Sequence, residues 1–210
     1  MTERVVVFID YENVSRRAKA QFTAVSGHVS PWRLGELLVN RRLSDTRVPA
    51  CELHEVRVYR GLPSATHQPA ANGENQARAA AWQAEAPDGR LVVYQRPLRY
   101  PADWPEGKAE EKGVDVALAV DLVRMTYQGG YDVGIVCSHD TDLVPALDAA
   151  RAVAVRKHLE VMCWNRRGGL RFTDADGPWC HSLREGDYKA VEDSARYRVP
   201  SSPPIPLDGA

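Results

Sequence analysis

An almost unbroken β-branched run, Val5-Val6-Val7-Phe8-Ile9, ends flush on Asp10, with Asn13 three residues further on. A strand with one wet face alternates apolar and polar residues. A run that is apolar at every position has to be covered on both faces, the condition of a strand inside a parallel sheet. The pattern recurs at Val133-Gly134-Ile135-Val136-Cys137, which leads into Ser138-His139-Asp140-Thr141-Asp142 and then an apolar-periodic segment from Leu143. Both stretches read as a buried strand, a tight turn and a helix start, with carboxylates at the turn.

Between these strands the chain alternates. Val14 to about Thr23 reads as a polar helix. Ser30-Pro31 starts another, with Ser as N-cap and Pro at the first helical position. Cys51 to Tyr59 reads as a strand ending at Arg60-Gly61, and residues 61–71 as a loop before a helix starting at Asn72 or Gly73. Leu91 to Tyr94 is a third strand, and residues 97–107, with three prolines, an irregular excursion. Val114 to Tyr127 has apolar residues at 114, 117, 118, 122 and 125, a 3.6-residue stripe. A helix over about Leu143 to Val155 and a strand over His158–Trp164 follow. Strand and helix in alternation predict an α/β fold with a mainly parallel, five-stranded sheet. The stretch 170–197 is expected to add a short strand at 179–183 and a short helix. Residues 198–210, with four prolines, are expected to form a disordered tail.

Composition excludes more than it selects. Lys and Arg number 27 against 28 Asp and Glu, so any nucleic-acid contact requires a local basic patch, not a global field. No uncharged apolar stretch reaches the roughly 18 residues of a membrane span, and no signal peptide is recognisable at the start; a cytoplasmic protein is expected. The four cysteines lack metal-type spacing, and a zinc site from Cys163, Cys180 and His181 fits none of the common patterns.

In an open parallel sheet, ligands sit at the carboxyl ends of the strands. The first strand delivers Asp10 and Asn13 there, and the fourth delivers Ser138, His139, Asp140 and Asp142. The others deliver Arg60, Arg96 and the pair Arg166-Arg167. Oxygen donors suit Mg²⁺ or Mn²⁺, and arginines at the rim suit phosphate oxygens; together they describe a phosphodiester site. Two readings stand for Asp10, Asp140 and Asp142, helix capping or metal binding; a pair of carboxylates where one cap suffices favours metal. Asp115 opens the helix at Val114. Asp121 lies six positions on, about 240° around the helix, so the two cannot face one ion from the same stripe. His139 reads as solvent-facing or as a substrate contact, and Arg16, Arg17 and Lys19 as a solvated helix face.

Three motifs then resemble the NYN family, a branch of the PIN-like nuclease superfamily: Phe8-Ile9-Asp10-Tyr11-Glu12-Asn13, Lys112-Gly113-Val114-Asp115-Val116-Ala117-Leu118-Ala119-Val120-Asp121, and Ser138-His139-Asp140-Thr141-Asp142-Leu143. The resemblance spans about residues 4–165. It implies a PIN-like three-layer α/β/α sandwich over residues 1–197 and a metal-dependent ribonuclease using Mg²⁺ or Mn²⁺. Asp10, Asp115, Asp140, Asp142 and Asn13 match its functional positions, and Asp121 a frequent acidic one. The usual glycine of the third motif is His139 here. Ser138, His139, Arg60, Arg96, Arg166 and Arg167 are the expected substrate contacts, RNA the expected partner, and a homo-oligomer is possible. The competing class is a non-catalytic RNA-binding regulatory module on the same fold. A phosphoaspartyl hydrolase fits poorly, because residue 12 is Glu where a second Asp would be needed.

Overall fold

The computed structural model describes residues 1–153, 158–165, 170 and 177–197. The strands are β1 (Glu3–Asp10), β2 (Cys51–Leu62), β3 (Leu91–Pro97), β4 (Val133–Cys137), β5 (His158–Trp164) and β6 (Trp179–Leu183). They form one sheet in the order β3-β2-β1-β4-β5-β6, and every neighbouring pair is parallel. The sheet therefore has six strands where the sequence predicts five. The sixth, β6, is the short strand expected at 179–183, which joins the sheet as an edge strand parallel to β5. The expected tail, 198–210, lies outside the described residues.

Helices cover both faces. They are α1 (Tyr11–Phe22), α2 (Pro31–Leu43), α3 (Pro69–Glu85), α4 (Val114–Gln128), α5 (Val144–Val153) and α6 (Glu185–Val191). One face of β1, through Val5, Val7 and Ile9, packs with Val14 of α1, Leu34 and Leu38 of α2 and Trp82 of α3. Its other face, through Val6 and Phe8, packs with Leu118 and Leu122 of α4 and Leu147 of α5. All of these side chains are 1% exposed or less, each contributing roughly 1.5–3 kcal/mol of burial. Both faces of β1 are buried, as its apolar run requires.

Ser30 caps α2 by accepting a hydrogen bond from the Arg33 amide at 3.3 Å, and Pro31 occupies the first turn. The helix after β2 starts at Pro69, earlier than Asn72, again with proline in its first turn. A bulge in β2 explains an irregularity of its apolar pattern. The register with β1 slips between Leu53 and Glu55, leaving His54 as the extra residue. Leu53, Val56 and Val58 thus share one face although their spacing breaks strict alternation. Arg57 and Tyr59 face α4.

Candidate active site at the carboxyl ends of β1 and β4

The strand order reverses direction at β1: β2 and β3 lie on one side, β4 to β6 on the other. Such a switch point leaves a crevice between the loops leaving the two central strands. Here those loops carry Asp10 and the Ser138 turn. By strand alternation Asp10 shares the face of Val6 and Phe8, the side on which α4 begins, so Asp115 of the first turn of α4 borders the same crevice. The result is a cavity of about 950 Å³. Its acidic lining is Asp10, Glu12, Glu110, Glu111, Asp115 and Asp140 and its basic lining Arg16, Arg17, Lys108 and Lys112; Asn13 also lines it.

Hydrogen bonds lock the Ser138 turn to β1. The Ser138 hydroxyl donates to Asp10 Oδ2 at 2.8 Å and accepts from the Asp140 amide at 3.0 Å. Asn13 Oδ1 accepts from the His139 amide at 2.9 Å. Asp10 precedes α1, and its carboxylate, held by Ser138 and lowered in pKa by the Asn13 backbone, lines the cavity. At the other turn Asp140 does cap, accepting from the Asp142 amide through Oδ1 at 3.0 Å.

Burial dominates the electrostatics. Asp10 is 8% exposed, and desolvation pushes its carboxyl up to about 6, with the charges of Glu111 and Asp140 adding to the rise and the Ser138 bond opposing it. Burial also raises Glu111, whose Oε1 accepts from the Gly61 amide. A side chain at position 61 would collide with Glu111 and Leu98, so glycine is what admits the carboxylate here. Among the described residues no lysine or arginine forms an ion pair with Asp10, although Arg16, Arg17, Lys108 and Lys112 line the same cavity. A buried carboxylate beside two others, with only oxygen donors around it, fits a hard divalent cation. Among the described residues no three His, Cys, Asp or Glu side chains converge closely enough to cage an ion unaided.

Several expected site residues lie elsewhere. Asp121 sits about 9 Å further along α4 than Asp115 at 1.5 Å per residue, level with β2 and away from its carboxyl end. It accepts from Tyr59 at 2.8 Å, from Arg57 at 3.1 Å and from Arg124 at 2.7 Å. Burial acts to raise it, but these bonds outweigh burial and hold it below the usual carboxylate range. Asp142 is exposed and does not line the cavity. Arg60 shares the face of Val58, opposite to Asp10, and points under the sheet edge. It is 3% exposed, lies over the rings of Tyr11 and Trp82, and pairs with Glu12 at 3.0 Å. Arg60 is therefore a packed cation and not a free phosphate ligand at the rim.

Ser138 is fully buried and spends its hydroxyl on Asp10 and Asp140. His139 is 6% exposed and faces inward, where Nε2 accepts from the Trp164 amide at 3.1 Å. Burial, helped by Arg17, lowers it to about 4, so it is neutral. Neither is a surface contact for substrate. Arg96 is exposed and donates to the Lys112 carbonyl at 3.3 Å, beside the cavity but not in its lining. Arg166 and Arg167 lie outside the described residues.

Sequence reasoning passed over Glu12, Glu111, Lys108 and Lys112. The last three sit in or beside an excursion with no periodicity to place them; their one signal was adjacency to the Lys112-Gly113 motif. Arg16 and Arg17, read as a solvated face, line the cavity because α1 starts directly after β1. His181, the third member of the zinc alternative, instead pairs with buried Glu160 at 2.6 Å.

The sequence pattern of the NYN domain matches residues 4–165, and the chain belongs to the NYN domain family, whose members have a nuclease-like PIN fold. No curated protein matches it. Among solved structures, it is similar to a protein of unknown function from Vibrio parahaemolyticus. That protein is 13% identical, with 80% of this chain and 85% of that one covered and a TM-score of 0.52, a likeness of fold alone. Arabidopsis thaliana UGT89C1, complexed with UDP-L-rhamnose, is 12% identical over 79% of this chain and 37% of its own, with a TM-score of 0.32; it carries no argument. Among the described residues, no helix is long and apolar enough to cross a membrane.

Proposed function

We propose that the protein is a Mg²⁺- or Mn²⁺-dependent ribonuclease that hydrolyses phosphodiester bonds in the cavity between β1 and β4. The observation that carries this is Asp10: a buried carboxylate, raised by desolvation, next to two further carboxylates and with no ion pair to a basic side chain among the described residues. Family membership supports the nuclease class. Asp10 and Asp140 would hold the cation, with Asp115 reaching it through water. The ion, when bound, would activate water and neutralise the leaving oxygen.

The chain's own residues do the rest. The Ser138 hydroxyl holds the Asp10 carboxylate in one orientation, and the Asn13 amide oxygen holds the backbone of the turn that carries Asp140. Glu111 lines the same cavity as Asp10 and would take the proton from an attacking water, a role its burial-raised carboxyl suits. Arg16, Arg17, Lys108 and Lys112 line the same cavity and would hold the phosphates. His139 takes no part in proton transfer, being buried, neutral and committed to Trp164.

The test is cleavage of an unstructured and a structured RNA with Mn²⁺ by the wild type, Asp10→Asn and Asp140→Asn. Loss of nearly all activity in both variants is expected; equal residual activity in all three overturns the reading. One observation favours the alternative of a non-catalytic RNA-binding module: no three metal-type ligands converge among the described residues. That module would retain RNA in chelator and would ignore both substitutions.

A further inference from the structure

The cavity between β1 and β4 is centred on carboxylates, which repel a polyanion. An RNA strand therefore has to be led in over cations, and the excursion between β3 and α4 is where cations lie beside aromatic rings. Arg99 and Glu110 pair across it, each amide donating to the other's carbonyl at 2.9 Å. Behind this pair is a second cavity of about 440 Å³, lined by Arg99, Tyr100, Pro101, Ala102, Lys108 and Glu110. Lys108 and Glu110 line both cavities, so the two are contiguous.

Tyr100 is pinned. Its hydroxyl accepts from the Ser64 amide at 2.8 Å and donates to Gln68 at 2.9 Å. His67 stacks on its ring at 4.3 Å and 16°, and Trp104 meets it edge-on at 4.8 Å. A ring held this rigidly loses little freedom when a base stacks on it. The flanking cations Arg99 and Lys108 are exposed and have no carboxylate partner among the described residues. A fixed aromatic beside unpaired cations is the chemistry that receives a single-stranded nucleotide: the base stacks and the backbone is neutralised.

We propose that the excursion is a stacking subsite for single-stranded RNA, in which Tyr100 receives a base and Arg99 and Lys108 hold its flanking phosphates. The inference rests on the RNA reading of the neighbouring cavity. The experiment is fluorescence anisotropy with a labelled, unstructured ten-nucleotide RNA in Mg²⁺, on an Asp10→Asn background. Tyr100→Leu is expected to weaken binding about tenfold, and Tyr100→Phe, which keeps the ring, to weaken it less than about threefold. Arg99→Ala and Lys108→Ala are each expected to reduce the slope of log affinity against log salt by about 0.7. Thermal melts report folding. If Tyr100→Leu does not fold, the two exposed cations decide, and unchanged salt slopes overturn the subsite. Wild-type affinity in a folded Tyr100→Leu variant overturns it, as does equal affinity for duplex RNA. Cleavage by the wild type, followed in parallel, separates the two proposals. Cleavage without these binding losses overturns the subsite alone. These losses without cleavage overturn the nuclease reading and leave the subsite standing.

Discussion

The hydroxyl of Ser138 donates to Oδ2 of Asp10 at 2.8 Å, across the seam between β4 and β1, with both residues buried. One serine thus sets the orientation of the carboxylate at the centre of the cavity and lowers its pKa against burial. Ser138→Ala should cost roughly 1.5–3 kcal/mol, the range for a hydrogen bond to a charged group. It should also move the acidic limb of the pH–activity profile upward, since Asp10 then ionises above its present value of about 6. Urea unfolding and a pH–rate profile check the two effects separately.

Asp10 itself should oppose folding at neutral pH. Its carboxyl ionises near 6 in the folded chain and near 3.8 as a free side chain. Between those values the folded state binds more protons than the unfolded one, so this group's contribution to stability falls as pH rises from about 4 to about 6. Asp10→Asn should therefore be more stable than wild type at pH 8 by on the order of 2–3 kcal/mol, a gain that vanishes near pH 4. Parallel denaturation curves at both pH values are the measurement. A stabilised but inactive variant is the signature of a site that tolerates strain for function.

Mg²⁺ or Mn²⁺ should reverse that penalty. Added ion is expected to raise the melting temperature of the wild type above pH 6, less so at pH 5, where Asp10 holds its proton. Asp10→Asn should show little of this shift. Calorimetric or fluorescence melts across an ion titration test it without reference to activity.

Arg60 should behave as a packing residue. It is buried over Tyr11 and Trp82 and paired with Glu12, so Arg60→Met is expected to destabilise the fold by about 1–3 kcal/mol. The salt dependence of RNA binding should stay as in the wild type, whereas Lys108→Ala should flatten it. A change of slope in Arg60→Met would count against its assignment to the packed side.

His139→Gly, which restores the residue usual in the motif, should also destabilise, because the Trp164 amide loses its acceptor in a buried place. The cost should be about 1–3 kcal/mol at pH 7. Burial, with Arg17, holds His139 near 4 when folded, against 6.5 for a free side chain. Its contribution is therefore present above about 6.5 and lost as pH falls towards 4, so the difference between variant and wild type should shrink on acidification. Thermal unfolding at pH 7 and pH 4.5 provides the comparison.

The parallel architecture was legible in the apolar runs of β1 and β4, because a strand buried on both faces leaves no position for a polar residue. The turns after those runs were legible for the same reason: Asp10, the last residue of β1, and Ser138, the first after β4, are the first polar positions after the apolar runs. The Ser30-Pro31 helix start was legible too, being set by contacts within four residues. Edge strand β6 was legible as a short strand at 179–183, but not its place in the sheet, since one neighbour and partial exposure impose no apolar rule on it.

The sequence by itself determined the alternation of strands and helices, the two carboxylate-bearing turns and the family. Only the tertiary structure decided which of the charged residues meet. Strand alternation sends Asp10 to the α4 side and Arg60 to the opposite side, although both lie near the carboxyl ends of their strands. Helix rise keeps Asp115 at the cavity and carries Asp121 to Tyr59 and Arg57. The excursion before α4 folds back to bring in Glu111 and Lys108, residues with no local pattern to announce them. His139, beside two exposed-looking carboxylates in the sequence, turns inward because β5 presents the Trp164 amide to it. These outcomes depend on residues distant along the chain, so no window of local sequence contains them.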